Sequence, residues 1–558
     1  MQLSGADIIV RTLIEQGCDV VFGYPGGQII DVYDSLYRYS GEIRHILTAH
    51  EQGAAHAADG YARATGRVGV AIATSGPGAT NLVTGIATAH LDSIPLVAIC
   101  GNVPTYQIGT DSFQEIDITG ITLPITKHNY FVGSVEQLAD TIREAFRLAV
   151  SGRPGPVLVD VPKDVQQAVC EYVPQSPVQP YEKFAAKDIR IDEAARCINS
   201  CQRPYIYFGG GVISSEAQQE MLELAELIDA PMGCSMMGLS AVPSDQPRFL
   251  GMQGMHGHYA SSMAMHKADC IIALGVRFND RVTGDRTRFA PGTRIVHIDI
   301  DGSELSKAVS AAHGLRADIR LTLRKLLPLI SKVERPEWQQ TVQRLKETEE
   351  RTLDRREGMT PKNVITALNR RLGETTPIVT DVGQHQVWAA QNLVFRKTRR
   401  FVSSGGLGTM GFGMGAAIGA AIGTGERSVL ITGDGSFGMS LNELATAVTN
   451  NVPVVILIMN NGVLGMVRQW QTLFYERHYS NTVLERKTDF VAVARAFGAQ
   501  GETAGTLEEL ESALDRAFDR DGPYVIDCAI DRDEFVLPML PPGGSVDDII
   551  VKAGEQKL

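Results

Sequence analysis

Several protein classes leave marks that this chain lacks. None of its 8 cysteines (Cys18, Cys100, Cys170, Cys197, Cys201, Cys234, Cys270 and Cys528) belongs to a CxxC pair. That pattern offers neither a zinc ribbon nor a disulfide framework, and buried free thiols are expected. No Lys/Arg run occurs, and 64 acidic against 52 basic residues leave a formal net charge of -12, which disfavours nucleic acid as a partner. The most apolar run, Val452 to Met459, falls far short of the roughly 20 residues needed to cross a bilayer, so no membrane partner is expected. It suits a buried parallel strand instead. The first residues hold no basic stretch followed by an apolar core and pass directly into an amphipathic pattern at Ile8, Ile9, Leu13 and Ile14. No export signal is expected, and a cytoplasmic location is. No short-period repeat is present, which argues against a solenoid.

What is present is 558 residues, 44% hydrophobic, with 56 glycines, a globular α/β composition too long for one core. Short β-branched runs alternate with amphipathic helices in three stretches. The first holds strands at Val20 to Phe22, Val68 to Ala73, Leu96 to Ile99 and Val157 to Val161. The second holds Tyr205 to Phe208, Cys270 to Leu274 and Ile295 to Ile300. The third holds Ile378 to Thr380, Ser428 to Thr432, Val454 to Met459 and Val525 to Cys528. Such alternation predicts parallel sheets with crossover helices, hence three doubly wound units. Two seams part them: the proline-rich Val173 to Pro180, read as a linker, and the charge-dense Glu334 to Glu357, read as a solvated helix or linker. The expected domains are 1–172, 187–333 and 358–535, with a C-terminal tail at 536–558.

The strand Val429 to Thr432 runs into Gly433-Asp-Gly-Ser436, and a second strand ends in Asn460-Asn461. Asp434 and Asn461 lie 27 residues apart (461 minus 434), room for one helix, Leu441 to Thr449, and a strand that returns the chain beside its start. Both then stand at the carboxyl edge of adjacent parallel strands, where open α/β sheets bind ligands. A diphosphate-bound Mg2+ takes hard oxygen ligands, which a carboxylate and an amide carbonyl supply. The flanking glycines let backbone amides approach phosphates. A bare Gly-Asp-Gly is most often only a turn; the paired layout carries the signal. In that layout the chain resembles the thiamine-diphosphate enzymes, whose cofactor motif begins with Gly-Asp-Gly and ends with Asn-Asn. The resemblance implies Asp434, Asn461 and the backbone of Val463 as Mg2+ ligands, with Gly433, Gly435 and Ser436 at the diphosphate.

Thiamine chemistry needs a carboxylate that protonates the aminopyrimidine, so that the exocyclic amine becomes the base. Glu51 is expected just before a small-residue helix, between the glycine turns Gly23-Tyr-Pro-Gly-Gly27 and Ser75-Gly-Pro-Gly-Ala-Thr-Asn81. A helix-start glutamate favoured by the helix dipole is the plain alternative. Together the three segments resemble the pyrimidine-binding domain of the same superfamily, which implies Glu51 as the activating carboxylate with Pro25 beside the cofactor. The family architecture sets the pyrimidine domain of one subunit against the diphosphate domain of another, so a homo-oligomer is expected. Met410, in the glycine-dense stretch Ser403 to Gly413, is implied as the wedge that bends the cofactor; Gly383, Gln384, His385, Gly408 and Met466 are implied contacts.

The middle stretch carries Gly209-Gly-Gly211, Gly254-Met-His-Gly257, Leu274 to Arg281 and His297 to Asp301. Glycine turns after strands can hold a dinucleotide pyrophosphate, and acidic strand ends can hold ribose hydroxyls. The set resembles the FAD domain of acetohydroxyacid synthases. Implied contacts are Arg153, Gly209, Gly210, Gly211, Met255 and His256, then Gly275, Arg277, Asp299, Ile300 and Asp318, with Gly405 and Gly406. Motifs such as Asp160-Val-Pro-Lys-Asp164 and Gly465 to Trp470 extend the likeness end to end. Asn279 stands where the family usually has Asp, and Met414-Gly415 where Leu-Pro is common.

The resemblance implies decarboxylation of pyruvate and its condensation with a second pyruvate or with 2-ketobutyrate, the first common step of branched-chain amino-acid biosynthesis. Gly27 and Gln114 are implied near the reacting carbon, and Phe113, Lys163 and Met255 at the entry. A carboxylate acceptor calls for a guanidinium, and Arg281 matches that role. Trp470 is implied as the pocket wall that favours an ethyl over a methyl group, a contact worth about 1 to 3 kcal/mol. The resemblance leaves open a small regulatory subunit. The alternatives are a catabolic acetolactate synthase without FAD and a non-catalytic homologue of the fold.

Overall fold

A computed structural model describes residues 1–352 and 355–552; the end of the expected tail, 553–558, lies outside the described residues. Three six-stranded sheets, all parallel, follow one another along the chain, as the alternating pattern led one to expect. Their central strands are buried on both faces, which is why Leu96–Asn102, Cys270–Leu274 and Val454–Asn460 read as unbroken apolar runs.

From edge to edge the first sheet is Arg44–Leu47, Val20–Gly23, Gly69–Ala73, Leu96–Asn102, Pro156–Pro162 and His128–Phe131. The third is Phe401–Val402, Ile378–Thr380, Ser428–Gly433, Val454–Asn460, Tyr524–Ala529 and Gln500–Ala504. Numbered along the chain within each sheet, both read 2-1-3-4-6-5. The central sheet is Phe249–Met252, Met232–Cys234, Pro204–Phe208, Cys270–Leu274, Arg294–Asp299 and His313–Arg316, which reads 3-2-1-4-5-6. That is the order of dinucleotide-binding sheets, with the crevice opening between Pro204–Phe208 and Cys270–Leu274.

The outer sheets match in detail. In each, the fourth strand ends in an asparagine whose side-chain amide donates to an aspartate on the next strand: Asn102 to Asp160 at 2.7 Å and Asn460 to Asp527 at 3.0 Å. In each, the second strand feeds a helix of small residues, Glu51–Thr65 in the first and Phe412–Thr424 in the third. These two helices pack on each other with their backbones touching. A methyl group on Gly60 would overlap the Ala416 carbonyl oxygen, and one on Gly419 would overlap that of Ala57.

Three expectations need revision. The charge-dense Glu334 to Glu357 contains a helix, Pro336–Thr352, but not a freely solvated one: Trp338, Val342 and Leu345 are buried in the central unit, and the Trp338 indole donates to the Pro204 carbonyl at 3.0 Å. The single helix expected at Leu441 to Thr449 is a 3-10 turn, Leu441–Glu443, followed by a short helix, Leu444–Thr449. Glu51 is itself the first helical residue, with His50 as the cap: its ring nitrogen accepts the Gln52 N–H at 3.0 Å. All eight cysteines are free, and all but Cys170 are buried. Among the described residues no helix is long and apolar enough to cross a membrane.

Candidate active site

At the carboxyl edge of the third sheet, Ser428–Gly433 turns into a one-turn helix at Asp434. Burial of the Asp434 carboxyl pushes its pKa up to about 6, and the backbone N–H of Asn461 faces it. Asn461 follows the neighbouring strand, its side-chain amide donates to Gln384 at 3.3 Å, and its side-chain oxygen accepts from Val463 N–H at 3.2 Å. Ser436 donates to the Val382 carbonyl at 2.8 Å. Gly433 lies against His385, whose Nε2 is buried without a partner among the described residues. A Cβ on Gly435 would come within 3.8 Å of the Met410 methyl. Gly383, Gln384, His385, Met410, Gly433, Asp434, Gly435, Ser436, Asn461 and Val463 thus share one sheet edge. No cluster of three or more His, Cys, Asp and Glu able to hold a metal occurs among the described residues. A cation carried on a diphosphate needs fewer protein ligands, and the oxygen donors of Asp434 and Asn461 fit a hard ion.

The first sheet gathers a second group. Glu51 accepts from Asn81 Nδ2 at 2.9 Å, and Gly78, in the second glycine turn, stands close to its other oxygen. Lys163 donates to the Gly27 carbonyl at 2.8 Å. Gln114 has φ of +63° and its backbone abuts Gly76, so the first- and second-turn glycines, Gln114 and Glu51 surround one face. Pro25 is exposed on that face. Phe113 is 84% exposed, and this chain does not bring it to the cavity described next.

A cavity of about 1350 Å3 opens at the crevice of the central sheet. Gly210, Gly211 and Gly275 form its floor, where close packing of Gly211 on Gly275 excludes a side chain. Asp299 and Ile300 mark a strand end on its wall; burial pushes the Asp299 carboxyl up to about 6. Arg153 arrives from the first unit and pairs with Asp301 at 3.1 Å and Glu304 at 3.2 Å. Arg277 lines the cavity near His90 and Tyr207; burial lowers the His90 pKa, and the charge of Arg277 adds to that effect. Asp318 also lines it, though its carboxylate caps the helix Ile319–Leu326 and accepts from Ser215 at 3.0 Å. Gly209 sits just behind the floor, packed on Gly275. Gly405, Gly406, Gly408 and Met466 close the cavity from the third unit.

At the same cavity, Arg281 lies over the Trp470 ring at 5.8 Å and reaches the Met255 sulfur at 3.4 Å. His256, beside them, donates from Nδ1 to the Pro538 carbonyl at 3.3 Å, and burial holds its pKa down at about 4. The residues Arg63, Asp92, Val382 and Gln386, absent from the expected set, line the cavity too. No local pattern singles out Arg63 and Asp92, whose partners Ser403, Gly405 and Gly406 lie over 300 residues along the chain, whereas Val382 and Gln386 flank the implied contacts Gly383 to His385. Asn81 differs: it ends a glycine turn already singled out, and its position opposite Glu51 was the available signal.

Three domain families match the chain: the thiamine pyrophosphate enzyme N-terminal TPP binding domain over residues 3–121, its central domain over 191–326, and its C-terminal TPP binding domain over 381–528. An acetolactate synthase large subunit of Corynebacterium glutamicum is 45% identical over 98% of this chain and 90% of its own length. The chain belongs to the acetolactate synthase large subunits of the thiamine pyrophosphate enzyme family. The isozyme 2 large subunit of Escherichia coli strain K12 is 44% identical over 99% of this chain and all of its own length. A probable acetolactate synthase large subunit of Methanocaldococcus jannaschii is 44% identical over 98% of this chain and 95% of its own length. The chain is accordingly a thiamine-pyrophosphate-dependent transferase of the acetolactate synthase kind.

Proposed function

We propose that the chain acts as a homo-oligomer with active sites between subunits. It takes pyruvate as donor and either pyruvate or 2-ketobutyrate as acceptor, giving 2-acetolactate or 2-aceto-2-hydroxybutyrate, and uses Mg2+ and FAD beside thiamine diphosphate. The observation that carries the acceptor choice is the meeting of Arg281, Met255 and Trp470 at one wall of the cavity. A guanidinium held over an indole offers a carboxylate two parallel donors and sets an apolar surface beside them for the alkyl group.

Thiamine diphosphate supplies a carbon nucleophile and an electron sink for loss of CO2. The chain's part is placement and exclusion. Glu51 would hold a proton at the pyrimidine, Asp434, Asn461 and the backbone of Val463 would hold Mg2+ at the diphosphate, and Met410 would wedge against the cofactor between them. Lys163, locked on the Gly27 carbonyl, and Gln114 orient the first ketoacid. The acceptor must arrive before a proton does, so the walls made by Phe113, from a neighbouring subunit, and Trp470 shut out water. FAD fits the central cavity: the strand order, the side-chain-free floor at Gly210, Gly211 and Gly275, and the cation of Arg277 suit a dinucleotide pyrophosphate. The units span 1–172, 187–333 and 358–535 in this reading, and a small regulatory subunit is a further partner.

A competition assay with pyruvate and 2-ketobutyrate, both products quantified with and without added FAD, tests the reading. Both products, with the 2-ketobutyrate product in excess and activity dependent on FAD, are expected. FAD-independent formation of 2-acetolactate alone would make the enzyme catabolic, and no product at all would make it a non-catalytic homologue.

A further inference from the structure

The central cavity and the diphosphate end share one span of chain. Ser404, Gly405, Gly406 and Gly408 line the cavity; Met410 comes two residues later, and Gly411 caps the Phe412–Thr424 helix. Side chains fix this span at both ends. At the cavity end the Asp92 carboxylate, from the first unit, accepts Gly405 N–H at 3.0 Å and Gly406 N–H at 2.7 Å. Arg63 donates to Asp92 at 3.0 Å and to the Ser403 carbonyl at 2.7 Å. At the far end Asp381 accepts Gly411 N–H at 2.8 Å, and its other oxygen faces the Thr432 hydroxyl, next to Gly433. Between the two, Thr409 N–H donates to Ser404 Oγ at 3.1 Å, and the Thr409 hydroxyl meets that of Thr88 at 2.7 Å. Asp92 is 8% exposed and Asp381 is 0% exposed.

Hydrogen bonds to an ionised acceptor are about twice as strong as neutral ones, and they strengthen as water leaves. Asp92 and Arg63 face the cavity, so a ligand seated against Gly405 and Gly406 dries the bonds that hold the near end of the span. The far end is tied to the strand that ends just before Asp434.

We infer that Asp92 is a positioning residue: by gripping Gly405 and Gly406 it makes occupancy of the central cavity and the placement of Met410 one coupled arrangement, so that a bound dinucleotide tightens thiamine-diphosphate binding. The inference rests on the reading of that cavity as a dinucleotide site. Linkage makes the effect reciprocal, with thiamine diphosphate tightening the dinucleotide by the same factor, and couplings of this kind run from about 5-fold to 150-fold.

The test measures two dissociation constants on the whole protein: that of FAD by quenching of flavin fluorescence, and that of thiamine diphosphate with Mg2+ by calorimetry, each with the other ligand absent and saturating. Wild type is expected to show about tenfold coupling in both directions. Asp92→Asn keeps the shape but loses the charge and one acceptor. It is expected to bind thiamine diphosphate alone within about threefold of wild type while the coupling collapses toward unity. Gly406→Ala sets a methyl group 2.8 Å from the Asp92 carboxylate without touching the charges; it is expected to lose the coupling too, and it decides the matter should Asp92→Asn not fold. Wild type that binds FAD without coupling, or either variant that keeps the coupling, overturns the inference alone. Wild type that binds no FAD overturns the dinucleotide reading and the inference with it.

Discussion

The first and third sheets share the strand order 2-1-3-4-6-5, yet the loops after equivalent strands differ in kind. After strand 2 the first unit presents Glu51 and the third presents Met410, each at the head of the helix that packs on the other. After strand 3 the first has a bare glycine turn, Ser75 to Gly78, and the third has Asp434. The scaffold therefore supplies position and the loops supply chemistry. A cofactor with an apolar, hydrogen-bonding ring at one end and a charged diphosphate at the other needs two such edges of opposite character. The central sheet, with a different strand order, answers a different ligand.

The largest effect should come from breaking the difference at strand 2. Glu51→Gln is expected to lower kcat for 2-acetolactate by about 10^2-fold to 10^4-fold, the range of general acid–base catalysis, with the KM for thiamine diphosphate little changed. Met410→Ala should act the other way, weakening cofactor binding more than kcat; equal patterns in steady-state kinetics would erase the contrast between the two loops. Next comes the seam. Overpacking costs about 1 to 3 kcal/mol, so Gly60→Ala and Gly419→Ala should each lower the melting temperature, and by similar amounts because each meets a carbonyl of the opposite helix. A large loss in only one of them would deny the equivalence.

The smallest effect concerns pH. Burial pushes the Asp160 carboxyl up from an ordinary 3.8 to about 7, and it raises Asp527 in the same direction. A carboxyl raised in the folded state contributes stability that is complete below about pH 4 and is lost as pH rises through about 7. Asp160→Asn should therefore gain a few degrees in melting temperature over wild type at pH 8 and little at pH 5. Asp527→Asn should gain less, since Asp527 is only half-buried. A gain that shrinks with rising pH would contradict the burial argument.

Legibility in the sequence followed burial and chemistry. All eleven strands read from apolar runs are present, because strands inside a parallel sheet are apolar on both faces. The strands without a signal are the edges, such as Arg44–Leu47, His128–Phe131, Phe401–Val402 and Gln500–Ala504, together with Met232–Cys234 beside an edge. Most are short or half-exposed, so tertiary pairing rather than composition makes them. Glu51, Asp434 and Asn461 could be singled out because the reaction demands those groups beside glycine turns. Asp92 and Arg63 could not: a carboxylate that holds amides over 300 residues away looks, in sequence, like any aspartate on a helix end. Asp381 was hidden by the motif beside it.

The helix seam has a meaning beyond packing. Ala57 and Ala416 stand 359 residues apart (416 minus 57), and so do Gly60 and Gly419 (419 minus 60) and Glu51 and Met410 (410 minus 51). Since Ala57 faces Gly419 and Gly60 faces Ala416, exchanging the helices leaves the contact unchanged. That self-complementarity is the mark of a two-fold homodimer interface, here written within one chain. It is what a single ancestral unit that paired with itself would leave after duplication and fusion, with each copy free to change its own loop, Glu51 in one and Met410 in the other.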